Sequence, residues 1–172
     1  MRFFSGFGFR GEKALFKEYL DFDMYNLAGF SYGAQKALQE AVKDVKEGKR
    51  VQKLQLLSPA FFNTLPKRIK LKELENFVKN KKLYMDFFYK KAAYPYRGDI
   101  TPFKAEPELS ALKELLFFIW RDEDLRLLKD AGVEIEVYQG DFDKIVNPKE
   151  VEEFFAPFAS LYMIKGVGHL LR

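Results

Sequence analysis

The feature that most constrains the fold is a strand-like segment that turns directly into a helix-like one. A segment at about residues 24–28 runs into Gly29-Phe30-Ser31-Tyr32-Gly33, and apolar residues then recur at three- and four-residue steps until Gly48. This spacing places the apolar side chains on one face of a helix, and glycine is common just after a helix C-terminus. The segment therefore predicts a β-strand, a sharp turn and an α-helix.

The same alternation recurs along most of the chain. Other short apolar segments predict buried strands at about residues 2–4, 51–57, 133–138 and 161–164. Helical spacing follows between most of them, and the first of these helices is expected at about residues 12–20. Strands that alternate with helices favour a mainly parallel sheet with helices on both faces. We therefore expect an α/β fold of about five strands in one domain, a size that suits 172 residues.

A basic helical segment interrupts this alternation. Residues 63–97 contain ten Lys and Arg against three Asp and Glu, whereas the whole chain has a net charge of only +4. Helical spacing continues beyond them, and Pro107 is expected to open a further helix. We therefore expect a core made of residues 1–62 and 120–172, with residues 63–119 as a helical lid insertion, called the insertion below.

Composition excludes several kinds of site. The chain has no cysteine, which rules out disulfides, a thiol nucleophile and cysteine-based metal sites, and its single histidine, His169, cannot build a multi-histidine metal centre within one chain. We expect no metal and no cofactor. No apolar run is long enough to span a membrane, and the first residues carry no recognisable export signal, so we expect a soluble cytoplasmic protein.

Three chemically important residues each follow a predicted strand. Ser31, Asp143 and His169 come after the second, fourth and fifth strands. Because the carboxyl ends of parallel strands meet at one edge of a sheet, we expect these side chains to converge. Residues 29–33 match G-x-S-x-G, a strained strand-to-helix turn that presents a serine, and serine, acid and histidine occur in the order that accompanies this turn.

These residue types suit nucleophilic catalysis. A serine hydroxyl needs a base to take its proton, and the base needs an acid that fixes its tautomer and stabilises its cation. We predict Ser31 as the nucleophile, His169 as the base and Asp143 as the acid, with Asp141 in the same loop as the alternative acid. The backbone N–H groups of Tyr32, after the nucleophile, and Phe7, in the glycine-rich loop of the first strand, are the expected oxyanion donors.

With these residues in place, the sequence resembles the α/β-hydrolase superfamily and, more narrowly, the small pimeloyl-acyl carrier protein methyl ester esterases of the BioV type. The likeness spans nearly the whole chain and rests on MRFFSGFGF, GFSYGAQKAL, LLSPAFF, YMDFFYK, VEIEVYQGDFDKIV and HLL. It implies a minimal α/β-hydrolase fold. It also implies the same roles for Ser31, Asp143, His169, Phe7 and Tyr32.

The resemblance implies a substrate and a partner. The reaction would convert the methyl ester of pimeloyl-acyl carrier protein to pimeloyl-acyl carrier protein and methanol, in biotin biosynthesis. Acyl carrier proteins are acidic, so the basic insertion would steer one into place. The candidate residues for binding the carrier or its acyl chain are Lys67, Arg68, Lys70, Lys81, Lys82, Lys90, Lys91, Arg97, Phe61, Phe87 and Phe88.

Other functions remain open from the sequence. A general carboxylesterase for small soluble esters would use the same three residues, and a thioesterase would cut the bond to the carrier instead. From another class, an inactive hydrolase scaffold could bind an acidic partner through the insertion. We expect no nucleic acid or membrane as a partner, and the sequence does not determine the oligomeric state.

Overall fold

A computed structural model describes all 172 residues, Met1–Arg172, and contains one five-stranded sheet. All neighbouring strands are parallel, and their spatial order follows their order along the chain. The expected α/β fold is therefore confirmed. The strands are β1 (Arg2–Phe4), β2 (Asn26–Phe30), β3 (Lys53–Leu57), β4 (Glu134–Gly140) and β5 (Ser160–Ile164).

Three α-helices cover one face of the sheet. They are α1 (Tyr32–Lys46), α5 (Asp122–Asp130) and α6 (Pro148–Phe155), whose buried apolar side chains pack on Leu27, Leu54, Leu56, Ile135 and Val137 of the central strands. The residues of α1 that the spacing placed on one face, among them Ala34 and Leu38, are indeed buried. This face forms one of the two apolar cores of the molecule.

The opposite face is covered without a long helix. A helix was expected at about residues 12–20, but the structure has only a short 3₁₀ helix, Glu12–Phe16, which packs on this face together with Leu170 and Leu171. Helices of this kind rarely continue because their hydrogen-bond geometry is poor. Gln55 then binds the backbone on both sides of Leu20, at the Tyr19 carbonyl and the Asp21 N–H, which leads the chain back to the sheet.

The connection from β1 to β2 differs in hand from the other connections. It crosses the face that carries the 3₁₀ helix, whereas the later connections run through α1, α5 and α6 on the other face. All four connections step in the same direction across the sheet, so a change of face means a change of hand. As a result, the segment that contains Glu12 lies on the face opposite α1, and the Glu12 side chain contacts the loop that follows β1.

Residues 67–117 contain three helices at the carboxyl end of the sheet. They are α2 (Lys67–Lys79), α3 (Lys81–Ala93) and α4 (Leu109–Phe117), with a 3₁₀ turn at Thr101–Phe103. Their inward residues, including Phe77, Met85 and Leu112, pack with Phe7 and Phe30 in the second apolar core. No helix in the structure combines the length and the apolar character of a membrane span.

Candidate active site

The turn that carries Ser31 depends on two close backbone approaches. Ser31 has φ 54° and ψ −113°, a strained conformation of the kind that costs on the order of 1–3 kcal/mol. A Cβ atom at Gly29 would lie 2.1 Å from the Gly33 carbonyl oxygen, and one at Gly33 would lie 1.9 Å from the Phe4 carbonyl oxygen. Only glycine therefore permits β2 to turn so sharply into α1 beside the end of β1.

The structure brings together the three residues predicted from the strand ends. His169 Nε2 lies 2.8 Å from Ser31 Oγ, and His169 Nδ1 lies 2.7 Å from Asp143 Oδ2. Because the Asp143 carboxylate accepts a hydrogen bond from Nδ1–H, the hydrogen bonding assigns the lone pair to Nε2, which faces the serine. The three side chains are buried and form one continuous hydrogen-bond chain.

Asp143 is held by more than the histidine. Its Oδ2 also accepts from Gln139 Nε2 (2.9 Å), and its Oδ1 accepts from the N–H groups of Ile145 (2.7 Å) and Val146 (3.1 Å). Burial alone would raise the pKa of this carboxyl, but attraction from His169 and these hydrogen bonds hold the pKa below its ordinary value. The carboxylate is thus kept charged and fixed in direction.

The alternative acid, Asp141, points elsewhere. Its Oδ1 accepts from the N–H of Gly166 at 2.7 Å, in the turn that leads to His169. This contact orders the histidine loop from outside, whereas Asp143 contacts the imidazole itself. The geometry therefore distinguishes the two candidate acids, because only Asp143 contacts His169.

The expected oxyanion donors have free N–H groups. Tyr32 is the first residue of α1, where a helical N–H has no partner within the helix, and neither its N–H nor that of Phe7 makes a hydrogen bond in the structure. Phe7 belongs to the segment Ser5–Gly8, called the oxyanion loop below. The close approach of Gly33 to the Phe4 and Ser5 carbonyl oxygens sets this loop beside the Ser31 turn.

An apolar cavity of about 740 Å³ opens between the insertion and the core. Its wall includes Phe7 of the oxyanion loop and Ile145, whose N–H binds Asp143, but not Ser31, Asp143 or His169 themselves. Of the predicted binding residues, Phe87, Phe88 and Lys91 line it. The cavity has the size and apolar lining that a small-molecule or acyl-chain site requires.

Two predicted binding residues do not serve that purpose. Phe61 is buried in the core on the helical face, where its ring lies 4.9 Å from that of Phe154, so it lines no channel. Phe61 lies in an irregular segment after Pro59 that directs its side chain towards the core. Such a segment has no repeating spacing from which this orientation could be predicted. Lys70 is buried with its Nζ 5.6 Å from the centre of the Phe117 ring, and burial lowers its pKa, so it presents no exposed charge.

The other predicted basic residues lie at the surface. Lys81 is half-buried and faces Glu106 at 3.8 Å, which leaves it less free than the rest. The exposed ones are Lys67, Arg68, Lys82, Lys90, Lys91 and Arg97, none of which forms an ion pair.

The insertion contacts three of the segments that carry a predicted site residue. Tyr89 Oη lies 2.8 Å from the carbonyl oxygen of Gly8, and Tyr32 Oη donates to Glu114 at 2.6 Å. Beside the histidine, a Cβ atom on Gly168 would lie 1.7 Å from the Tyr94 carbonyl oxygen. The oxyanion loop, the start of α1 and the histidine loop are therefore all in contact with one segment.

Sequence reasoning missed two residues that support the site. Gln139, which binds Asp143, lies at the end of β4, and the rule that selected the other residues at strand ends could have found it. Glu12, which binds the oxyanion loop, lies in an irregular segment. Its orientation depends on the path from β1 to β2, which no pattern in the sequence indicates.

Comparison with known proteins supports the fold. No protein-family model and no curated protein sequence matches the chain. Among solved structures, naproxen esterase from Bacillus subtilis is 17% identical with a TM-score of 0.53 over 85% of this chain. BioG from Haemophilus influenzae is 16% identical with a TM-score of 0.56 over 98% of this chain and 87% of BioG.

A third similar structure is the esterase EaEST from Exiguobacterium antarcticum, at 16% identity and a TM-score of 0.61 over 84% of this chain and 59% of that protein. The chain spans only 53% of the naproxen esterase, so the larger esterases contain parts without a counterpart here. Sequence identities of 16% and 17% establish only that the chain shares the architecture of these proteins. The strand order, the turn at Ser31 and these similarities together show that the chain has a five-stranded form of the α/β-hydrolase fold.

Proposed function

We propose that this protein is a serine carboxylesterase. The observation that carries the proposal is the hydrogen-bond chain from Ser31 through His169 to Asp143. His169 Nε2 is placed to take the Ser31 proton as Oγ attacks an ester carbonyl, while Asp143 stabilises the imidazolium that forms. The N–H groups of Phe7 and Tyr32 then receive the negative charge that develops on the carbonyl oxygen.

The second half of the reaction reverses these roles. The imidazolium returns its proton to the departing alcohol, which leaves the acyl group bound to Ser31 Oγ. Water, deprotonated by His169, then attacks the acyl-enzyme, and the imidazolium returns this proton to Ser31 Oγ as the carboxylic acid leaves. One ester and one water therefore become one acid and one alcohol, with the enzyme unchanged.

Within this class, we propose the methyl ester of pimeloyl-acyl carrier protein as the substrate. The sequence resemblance to pimeloyl-acyl carrier protein methyl ester esterases supports this assignment, as does the structural similarity to BioG over most of both chains. The apolar cavity beside Phe7 suits an acyl chain whose ester group reaches Ser31. The exposed cations of the insertion suit an acidic carrier.

Mass analysis of the carrier-linked methyl ester, after incubation with the purified protein, tests the proposal. The expected product is pimeloyl-carrier, lighter than the substrate by one CH₂, with no release of the acyl chain from the carrier. Ser31→Ala should abolish this conversion and keep the unfolding transition, because Oγ makes no structural contact except with His169.

Other outcomes of the same experiment distinguish the alternatives. Release of the acyl chain from the carrier would identify a thioesterase. Equal turnover of a free methyl ester, independent of salt, would favour an esterase for small soluble esters, a class to which the similarity to naproxen esterase also points. A protein that neither hydrolyses esters nor reacts at Ser31 with a fluorophosphonate would be an inactive scaffold.

A further inference from the structure

We propose that Glu12 is a positioning residue for the oxyanion loop, a role that deepens the proposed esterase function and rests on it. The Glu12 side chain is fully buried, and its Oε1 accepts from the N–H of Gly6 at 2.8 Å. Gly6 directly precedes Phe7, the expected oxyanion donor. Glu12 thus binds the N–H of the residue just before Phe7, whose own N–H is expected to bind the oxyanion of the substrate.

The oxyanion loop needs such a contact because of its glycines. A Cβ atom at Gly6 would lie 2.6 Å from the Phe30 ring, so the position requires glycine, the residue with the greatest backbone freedom. Two planar peptides, those before Gly6 and before Phe7, meet at the Gly6 Cα. Binding the Gly6 N–H therefore fixes the first of these peptides, from which the φ and ψ rotations of Gly6 orient the Phe7 N–H.

The contact holds the loop on one side of Phe7. The Gly6 N–H is bound to Glu12, whereas the N–H of Phe7 has no partner and is available to a ligand. On the other side of Phe7, the Ala105 N–H of the insertion donates to the Gly8 carbonyl oxygen at 2.9 Å. Glu12 and the insertion therefore hold the residues on either side of Phe7, Gly6 and Gly8.

The Glu12 carboxyl has one oxygen bound and one oxygen without a partner. Oε1 accepts from the Gly6 N–H, whereas Oε2 is buried and makes no hydrogen bond. Burial raises the pKa of the carboxyl, and hydrogen bonding to the Gly6 N–H opposes this shift. The Gly6 N–H is therefore the hydrogen-bond partner that holds the Glu12 carboxyl in place.

Three substitutions separate this role from packing. Glu12→Met keeps the length and apolar stem but has no acceptor, Glu12→Asp keeps the acid but is one methylene too short to reach Gly6, and Glu12→Gln keeps an acceptor oxygen in place. With p-nitrophenyl acetate as substrate, we expect Met and Asp to lower kcat by roughly tenfold to a hundredfold, with KM little changed. We expect Gln to keep kcat close to that of the wild type.

A buried carboxyl elsewhere on the same sheet face is the matched control. Glu136 accepts from Gln55 and Tyr138 and contacts no part of the oxyanion loop. Glu136→Met should therefore lower the unfolding temperature but leave kcat of the folded protein unchanged. A Glu12 effect that only reflected packing would resemble that of Glu136, with stability lost and kcat kept.

The possible results distinguish this inference from the proposed function. An active wild-type protein whose Glu12→Met and Glu12→Asp variants keep full kcat overturns the role of Glu12 alone. A Glu12→Gln variant that is folded and as slow as the Asp variant also overturns it, because the acceptor is retained. A wild-type protein inert towards both the ester and a fluorophosphonate overturns the esterase function and, with it, the positioning role.

Discussion

At the scale of single residues, Asp143 has all of its acceptor positions occupied. His169 and Gln139 bind one oxygen, and the N–H groups of Ile145 and Val146 bind the other. A carboxylate held in this way orients the imidazole as well as balancing its charge. Two aspartates two residues apart thus have different tasks, since Asp141 binds only the histidine loop.

We expect Asp143→Asn to lower kcat by about 10⁴-fold, because an amide at this position favours the wrong histidine tautomer. Steady-state kinetics with a soluble ester measures the effect. Asp141→Asn is the matched control, since its amide oxygen can still accept from Gly166 and most activity should remain. Loss of activity in the Asp141 variant with an active Asp143 variant would reverse the assignment of the acid.

At the scale of elements, helix α3 reaches the oxyanion loop through one hydroxyl. Tyr89 is buried, and its Oη lies 2.8 Å from the carbonyl oxygens of both Gly8 and Ala105. It therefore joins the loop after β1 to the segment between α3 and α4. The Gly8 carbonyl also accepts from Ala105, so the two segments are connected twice.

We expect Tyr89→Phe to reduce the free energy of unfolding by about 0.5–1.5 kcal/mol, because one hydrogen bond between the two segments is lost while the Gly8 carbonyl keeps the Ala105 N–H. Chemical denaturation measures this change. Tyr96→Phe is the control, since Tyr96 belongs to the same segment of the chain and its hydroxyl makes no hydrogen bond in the structure. Equal stability of the wild type and Tyr89→Phe would show that this hydroxyl does not connect the two segments.

At the scale of the whole molecule, positive charge is concentrated in the insertion. Exposed unpaired cations lie on this segment, which also lines the cavity, while the rest of the chain carries a small excess of acid. Such a charge distribution raises the rate of association with an acidic partner. The increase becomes smaller as the salt concentration rises, because salt screens the attraction. It has no comparable effect on an uncharged ester.

We expect the double substitution Lys82→Glu with Lys90→Glu to lower kcat/KM for the carrier-linked ester by on the order of tenfold at low salt. Turnover of a free methyl ester should stay unchanged, which a parallel assay checks. Lys43→Glu with Lys46→Glu, which changes the same charge at the distal end of α1, should affect neither substrate. Equal loss for both pairs would indicate a net-charge effect without a docking surface.

The sequence was sufficient to predict the sheet and the meeting of Ser31, Asp143 and His169. Strand alternation defines the edge at which loops converge, so residues just after strands could be placed without coordinates. The positions of Phe61, Lys70 and Glu12 could not be predicted. Each depends on how an irregular segment or a helix of the insertion turns against the core, and periodicity does not describe that.

The contacts of the insertion with three loops restrict how a ligand can enter. Lifting residues 67–117 as one body would break the Gly8, Tyr32 and Gly168 contacts together, and would disassemble the site just as the ligand arrived. The exposed side chains of Leu83 and Phe87 stand at the rim of the cavity and hold none of these loops. Exposed side chains rotate in picoseconds to nanoseconds, and rotation of these two would leave all three contacts of the insertion in place.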